Sequence, residues 1–358
     1  MHLILYNPLS RNGKNVKLVF KLKSSLIREG KQVEVINILN IEDIEDFIYS
    51  HNHVSKIIII GGDGTLNKLV NAIRGLEVKP EIYLSRAGTG NDFIRSLKVK
   101  KKKAFIDIKK YLENLPSVTF NDEEMLFLNG VGSGLDGHVC YLLNNSNNRK
   151  SKGNYFKNAI KAFREFKPLV SRVKIDDQEE MRIDKTWFVT VMNSKYFGGG
   201  MKIAPKADRE SDYLNVVIIK KIPKWLLLLI FPTIYLGWHV IFNKYVEIYQ
   251  ANSVEVNFSR LTYLQIDGED YQDVGSMKIY KKKNEKVEVE LDEKAVLDVS
   301  ETNDDVIDND IEPIPESDDK LEEEIVSHKM ENEENSTEVK DNNKDSELEW
   351  FLIITVFF

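Results

Sequence analysis

A doubly wound α/β domain, then a β-sandwich domain, then a disordered acidic tail is the architecture this sequence predicts. Three observations predict it. Short apolar runs alternate with stretches of helical spacing over the first third of the chain, the pattern of a parallel sheet wrapped by helices. From about residue 118, β-rich stretches follow one another with little helix between them. Residues 298–347 are rich in Asp, Glu, Asn and Ser and too poor in aromatics to bury themselves, and a short apolar end, WFLIITVFF at 350–358, follows. The boundaries fall at 1–117, 118–297 and 298–358.

In the first domain, His2–Tyr6 reads as a strand ending at Asn7-Pro8, rather than as a secretory signal. Val16–Glu29 carries Val16, Val19, Phe20, Leu22 and Leu26 at helical spacing. Val33–Ile38 is a second strand and Ile41–Tyr49 a short helix. Lys56–Ile60 holds four consecutive isoleucines, the mark of a strand buried on both faces. A helix over Leu66–Ile73, a strand over Glu81–Leu84 and a helix over Phe93–Leu97 complete the alternation.

In the second domain, strands are predicted over Val118–Phe120, Met125–Asn129, Val170–Ile175, Trp187–Met192, Tyr213–Ile219, Ser253–Phe258, Leu261–Ile266 and Lys286–Leu291, with a helix over Asn154–Phe166. Trp225–Phe242 is 18 residues without a charge, set between Lys220, Lys221 and Lys224 on one side and Lys244 on the other. Pro232 and Gly237 interrupt it, and it lies between strands of one sheet. A helical hairpin, buried or facing a membrane, is predicted rather than a span.

The net charge of −7 hides a split. Residues 298–349 hold 21 acidic side chains against four basic ones, a net of −17, leaving 46 basic and 36 acidic, a net of +10, in 1–297. A basic body suits nucleotide phosphates, an anionic membrane or nucleic acid, and charge alone does not choose. One cysteine, Cys140, excludes an internal disulfide framework and points to a reducing, cytoplasmic setting. The histidines do not cluster: His51 and His53 read as solvent-facing turn residues, His138 and His239 as packing residues.

The strongest chemical signal is IIIIGGDGTLN at 57–67, a buried strand running into a tight turn at the carboxyl end of a parallel sheet, where α/β folds bind ligands. Gly61, Gly62 and Gly64 let backbone N–H groups approach a phosphate. Asp63 supplies a carboxylate suited to Mg²⁺ held through water, and the Thr65 hydroxyl can donate to a phosphate oxygen. A second loop after the next strand, Gly88-Thr89-Gly90-Asn91-Asp92, repeats the recipe. Either loop alone reads equally as a glycine-rich turn between strand and helix; two of them on neighbouring strands favour a nucleotide site over two independent turns. A third, NPLSRNGK at 7–14, is placed to close over it. No Walker-A spacing occurs in these loops.

NPLSRNGK, GGDGTLNKLVNAI (61–73) and GTGNDFIRSL (88–97) together resemble the bacterial diacylglycerol kinase family, relatives of the sphingosine and ceramide kinases. The GGDGT element is shared with NAD kinases. The resemblance runs on through NGVGSGLDG (129–137), YFGGGMKIAPKADRESDYLNVVII (196–219) and IDGE (266–269), covering about residues 1–295. It implies an α/β nucleotide domain and a β-sandwich domain with ATP and lipid meeting between them. Residue by residue, it implies nucleotide contacts at Gly62, Asp63, Gly64, Thr65, Leu66, Asn67, Lys68 and Thr89, with Ser10 and Asn40. Asp63 and Asp92 would belong to the Mg²⁺–water network, and Glu269 would be the general base that takes the proton of a lipid hydroxyl. IDGED also reads as a plain hairpin turn.

One departure stands out. Where the family carries Asp-Gly after its AP-x-A motif, this chain has Ser211-Asp212. The structural magnesium implied there would fall on Asp208, Ser211 and Tyr213, with Asp212 as a substitute ligand, and Ser is a poor hard-cation ligand. The function implied is ATP-dependent phosphorylation of a lipid alcohol, diacylglycerol first, by a cytoplasmic protein at the inner face of an anionic membrane. Another lipid alcohol, such as a sphingoid base or polyprenol, stays open, as does a nucleotide- and lipid-binding regulator. NAD kinase fits the IDGE element and the apolar 225–242 stretch less well. The partners implied are ATP and a membrane lipid, not nucleic acid, and a homodimer stays open.

Overall fold

The computed structural model describes residues 1–282 except 14, 87, 89, 98, 100–103 and 147–151. Thr89, the strand expected at 286–291 and the tail at 298–358 lie outside the described residues.

The first part runs β1 (His2–Tyr6), α1 (Asn15–Arg28), β2 (Val33–Asn37), α2 (Ile44–Ser50), β3 (Lys56–Ile60), α3 (Asp63–Ala72), β4 (Glu81–Ser85), α4 (Asp92–Ser96) and β5 (Phe105–Asp107). Its sheet has the order β2-β1-β3-β4-β5, with the first four strands parallel and β5 antiparallel to β4. Side chains alternate across a strand, so the isoleucine run feeds two cores. Ile57 and Ile59 join Leu3, Leu5, Ile48, Leu66 and Phe93 on the face covered by α2, α3 and α4. Ile58 and Ile60 join Ile4 and Val19 under α1.

Helix α3 begins at Asp63, three residues before the start its apolar spacing predicts. Asp63-Gly64-Thr65 is therefore the first helical turn, and only Gly61 and Gly62 form the loop. The same holds for α4, which opens at Asp92.

The second part is built on one nine-stranded hydrogen-bonded sheet. Its strands are β6 (Ser117–Phe120), β7 (Glu123–Leu126), β8 (Gly130–Gly134), β9 (Leu169–Ile175), β10 (Met181–Met192), β11 (Leu214–Lys220), β12 (Val246–Ala251), β13 (Ser253–Ile266) and β14 (Glu269–Tyr280). Both β8 and β9 pair with β10 and with β13, β9 near one end of those long strands and β8 near the other. The sheet thereby folds over an interior of Val131, Val173, Val189, Val216, Leu264 and Ile279, a sandwich-like core. Helices α5 (Leu135–Asn144), α6 (Lys152–Glu165) and α7 (Lys224–Ile230) cover a second core with Trp187 and Val217.

The expected strands at 253–258 and 261–266 are one strand, β13, and the break between them is the register shift between Asn257 and Thr262. The strand expected at 125–129 ends at Leu126 and resumes as β8. The apolar segment 225–242 is α7 followed by two 3₁₀ turns, Phe231–Leu236 and Trp238–Ile241, separated by Gly237 at φ +77°. Leu227, Ile230 and Ile234 are buried, whereas Trp225, Leu229, Leu236, Trp238 and Ile241 are exposed. Among the described residues no helix is long and apolar enough to cross a membrane. His138 and His239 are buried as expected, but His51 is half-buried, stacked 4.0 Å from Phe47, rather than facing solvent.

Candidate active site

The two glycine loops meet back to back. A Cβ on Gly88 would lie 2.8 Å from Gly62 Cα, so only glycine at 88 lets the strands' carboxyl ends approach this closely. Asn91, at φ +52°, closes the second loop: its Oδ1 accepts from Gly88 N at 2.9 Å and its Nδ2 donates to Gly88 O at 2.6 Å.

Asp63 then ties the loops together. Its Oδ2 accepts from Asp92 N at 2.9 Å and its Oδ1 from Phe93 N at 3.2 Å, satisfying two N–H groups at the start of α4. Asp92 reaches the second part of the chain: its Oδ2 accepts from Gly199 N at 2.7 Å and its Oδ1 from Arg95 Nη1 at 2.5 Å. Burial pushes both carboxyls up; the Asp63 charge adds to the effect on Asp92, which is raised to about 6. One oxygen of each approaches Gly90, whose Cβ position is 3.4 Å from Asp63 Oδ2 and 3.7 Å from Asp92 Oδ2. Hard oxygen donors so placed, each with a lone pair remaining, fit a hydrated Mg²⁺.

A cleft of about 290 Å³ opens over the first turn of α3, lined by Ser10, Gly62, Gly64, Thr65, Lys68, Gly88 and Glu269 among others. Helix α3 points its amino terminus, with its unpaired N–H groups and partial positive charge, toward this cleft. Asn7 Nδ2 donates to Thr65 Oγ1 at 3.0 Å, which fixes the third loop and leaves the hydroxyl proton free to donate. Lys68 is exposed at the rim.

Glu269 enters from the other sheet. It is the first residue of β14, held by the two-residue turn Asp267-Gly268, both at positive φ (50° and 95°), the hairpin geometry that Asp-Gly favours. Asp267 anchors that turn: its carboxylate accepts from the backbone N–H groups of Leu128 (2.5 Å), Asn129 (2.8 Å) and Gly130 (3.1 Å) and from Asn67 Nδ2 (2.8 Å). Glu269 Oε1 lies 3.6 Å from the place a Cβ on Gly64 would take. IDGED is thus a hairpin turn and a wall of the cleft at once.

Four expected nucleotide contacts are placed differently. The Leu66 side chain is in the core and its N–H bonds Gly62 O at 3.1 Å, so the helix and core use both. Asn67 is buried against Asp267 and Leu126 O, joining the two sheets. Asn40 lines a neighbouring hollow with Asn37 and Asp43. Gly61 backs onto the Thr65 side chain.

Sequence reasoning missed two arginines. Arg209 is buried with its guanidinium 4.1 Å from the Phe93 ring, and it donates to Ser96 Oγ, Leu128 O and Asn129 Oδ1. Burial lowers it to about 10, against the pull of Asp267 and Asp63. Arg95 pairs with Asp92 and lies over the Tyr196 ring. A lone arginine in a stretch read as metal-binding gave no signal of its own.

The structural metal does not fit where the sequence suggested. The carbonyl of Ser211 accepts from Lys281 Nζ at 2.6 Å and that of Arg209 at 3.1 Å. Asp208 Oδ1 accepts from Glu210 N and Ser211 Oγ from Tyr213 N, as local turn bonds, while the Asp212 carbonyl accepts from Asn252 Nδ2. Among the described residues no group of three or more His, Cys, Asp or Glu side chains could hold a metal.

Two family descriptions match in tandem: the diacylglycerol kinase catalytic domain over residues 1–117, and the YegS C-terminal NAD kinase beta sandwich-like domain over residues 129–282. The chain belongs to the bacterial diacylglycerol and lipid kinase family. Among its relatives, "Putative lipid kinase YtlR" of Bacillus subtilis is 29% identical over 204 residues, 49% of this chain and 63% of that protein. A diacylglycerol kinase of Mycobacterium tuberculosis is 27% identical over 263 residues, 70% of this chain and 83% of that protein. The crystal structure of a "putative diacylglycerol kinase" from Bacillus anthracis shares the fold, with a TM-score of 0.58 at 21% identity over 79% of this chain and 92% of that one.

Proposed function

We propose that this family member transfers the γ-phosphate of ATP to the hydroxyl of a membrane lipid, diacylglycerol first, giving phosphatidic acid and ADP. The observation that carries the reading is the approach of Glu269 to Gly64, which sets a carboxylate beside a phosphate-type helix terminus in one cleft. Glu269 accepts the proton of the lipid hydroxyl as its oxygen bonds to the γ-phosphorus and the bond to the ADP oxygen breaks. The glycine loops and the amino terminus of α3 bind the phosphates, Thr65 donates to them and Lys68 reaches over them. Asp63 and Asp92 would hold the hydrated Mg²⁺ that accompanies ATP, and its charge would offset that of the phosphates.

The acceptor side is the exposed apolar segment. Ile234 O accepts from Lys202 N at 3.0 Å, and Gly199, three residues before Lys202, donates to Asp92 Oδ2, which joins this segment to the loop beside the site; Trp225, Leu229, Leu236, Trp238 and Ile241 are exposed on it. Such a surface suits peripheral contact with a bilayer from the cytoplasmic side. Lys220 and Lys224 contribute less than their charge suggests, since Lys220 is paired with Glu247 at 2.6 Å and Lys224 donates to Arg164 O. Incubation with radiolabelled ATP and a panel of diacylglycerol, sphingoid base and polyprenol in mixed micelles tests the reading. Label in phosphatidic acid is expected; label in another lipid reassigns the acceptor, and label in none overturns it.

A further inference from the structure

A lysine buried away from solvent needs a reason, and Lys281 is 1% exposed. It follows β14 directly, its own N–H bonded to Asn252 O at 2.9 Å. Its ammonium has three hydrogens and three oxygen partners: Asn193 Oδ1 at 2.8 Å, Arg209 O at 3.1 Å and Ser211 O at 2.6 Å. Burial first and the Arg209 guanidinium second lower its affinity for the proton, to about 8, while Asp212 and Asp208 favour the charge. Each ammonium hydrogen nevertheless has an oxygen partner, so the donor set is complete.

Two of those oxygens are backbone carbonyls of the segment that the family resemblance makes a metal loop, and Ser211 is itself one of the implied ligand positions. A divalent ion on the Ser211 carbonyl would have to sit within about 2.1–2.6 Å of that oxygen, beside Nζ and against its charge. The ammonium therefore opposes a metal here.

We propose that the Lys281 ammonium is the built-in structural cation of this protein, taking the place of a bound metal and acting as a positioning residue for the catalytic turn. The route is continuous. Asn193, held by Lys281, donates through Nδ2 to Leu128 O at 3.1 Å, and its N–H bonds Asn129 O at 2.9 Å. Arg209, whose carbonyl Lys281 holds, bonds Leu128 O and Asn129 Oδ1 through its guanidinium. The N–H groups of Leu128, Asn129 and Gly130 in turn hold Asp267, and so the turn that carries Glu269. The departure at Ser211 then has a physical account: with the cation supplied by the chain, an aspartate ligand at 211 is dispensable.

The test measures metal and stability before activity. Elemental analysis of the desalted full-length protein is expected to find no stoichiometric divalent metal, and EDTA should leave its Tm unchanged. One equivalent of metal surviving desalting, or a Tm that falls in EDTA, would overturn the proposal. Lys281→Ala empties the carbonyl cage, so this variant should lose Tm and regain part of it on adding MgCl₂, a response the wild type lacks. A Lys281→Ala protein as stable as the wild type, with or without MgCl₂, would also overturn it. If that variant does not fold, the wild-type metal content and EDTA response still decide. The positioning role rests on the kinase reading, and its readout is separate: kcat of Lys281→Ala should fall by about tenfold to a hundredfold with little change in KM for ATP. An unchanged kcat would remove the positioning role, whereas an inactive wild type would count against the kinase reading alone.

Discussion

Asn67 and Asp267 are 200 residues apart in the chain, and Asn67 Nδ2 donates to Asp267 Oδ2 at 2.8 Å. The bond joins the helix that follows the first glycine loop to the turn that carries Glu269, so the two sheets share one buried polar junction. Such networks stabilise when every member is satisfied and are costly when one is removed.

Asp267→Ala leaves three backbone N–H groups and the Asn67 amide without their acceptor. Equilibrium denaturation should show a loss of about 3 kcal/mol or more, and Asn67→Ala a smaller loss of about 1–2 kcal/mol. Because the two share one bond, the double mutant should lose less than the sum of the single losses. Strict additivity would contradict the junction.

The pH dependence of stability follows from Asp92. Its carboxyl is raised from 3.8 to about 6, by burial first and the Asp63 charge second. A raised carboxyl binds its proton more tightly folded than unfolded, so the native state gives up stability as pH rises from about 4 to 6 and no more above that. Compared with Asp92→Asn, which does not titrate there, the wild type should lose up to about 3 kcal/mol across this window. Paired Tm measurements at pH 4.5, 5.5 and 7.5 check it; a gap that stays constant would refute the shift.

Membrane contact should depend on the outward apolar side chains more than on the lysines. Replacing Trp225 and Trp238 by Ser removes two interfacial anchors, and each is expected to weaken partition onto anionic vesicles by about tenfold or more. Replacing Lys220 and Lys224 by Gln should do less, because both already have protein partners. Co-sedimentation at low and high salt separates the two contributions.

Much of the first sheet was legible because β1, β3 and β4 carry apolar runs bounded by turns, whereas the three-residue β5, Phe105–Asp107, is too short to show a pattern. The two glycine loops were legible for a different reason, since a strand running into glycines, a carboxylate and a helix recurs at adjacent strand ends. β8 was not legible: Gly130-Val-Gly-Ser-Gly134 has almost no side chains. It is nonetheless a central strand, because a Cβ at Gly130 would overlap Met192 Sδ at 2.3 Å and one at Gly134 would lie 2.7 Å from Trp187 O. β14 was missed because EDYQDVGSMKIY is mostly polar, with Val274, Met277 and Ile279 its buried apolar residues. Arg209 and Lys281 could be found only through the fold, since burial of a cation follows from its partners and not from its neighbours in sequence.

The central claim is that Glu269, brought to the glycine loop from the other sheet, takes the proton of the lipid hydroxyl. Glu269→Gln keeps the size and exposed position of the side chain and removes its basicity. Transfer of radiolabelled phosphate from ATP to lipid, measured beside Tm and ATP binding on the same preparation, tests it most directly. The account predicts unchanged Tm and ATP binding, with transfer down by about a hundredfold or more. Transfer near the wild-type rate in a folded, ATP-binding Glu269→Gln protein would contradict it.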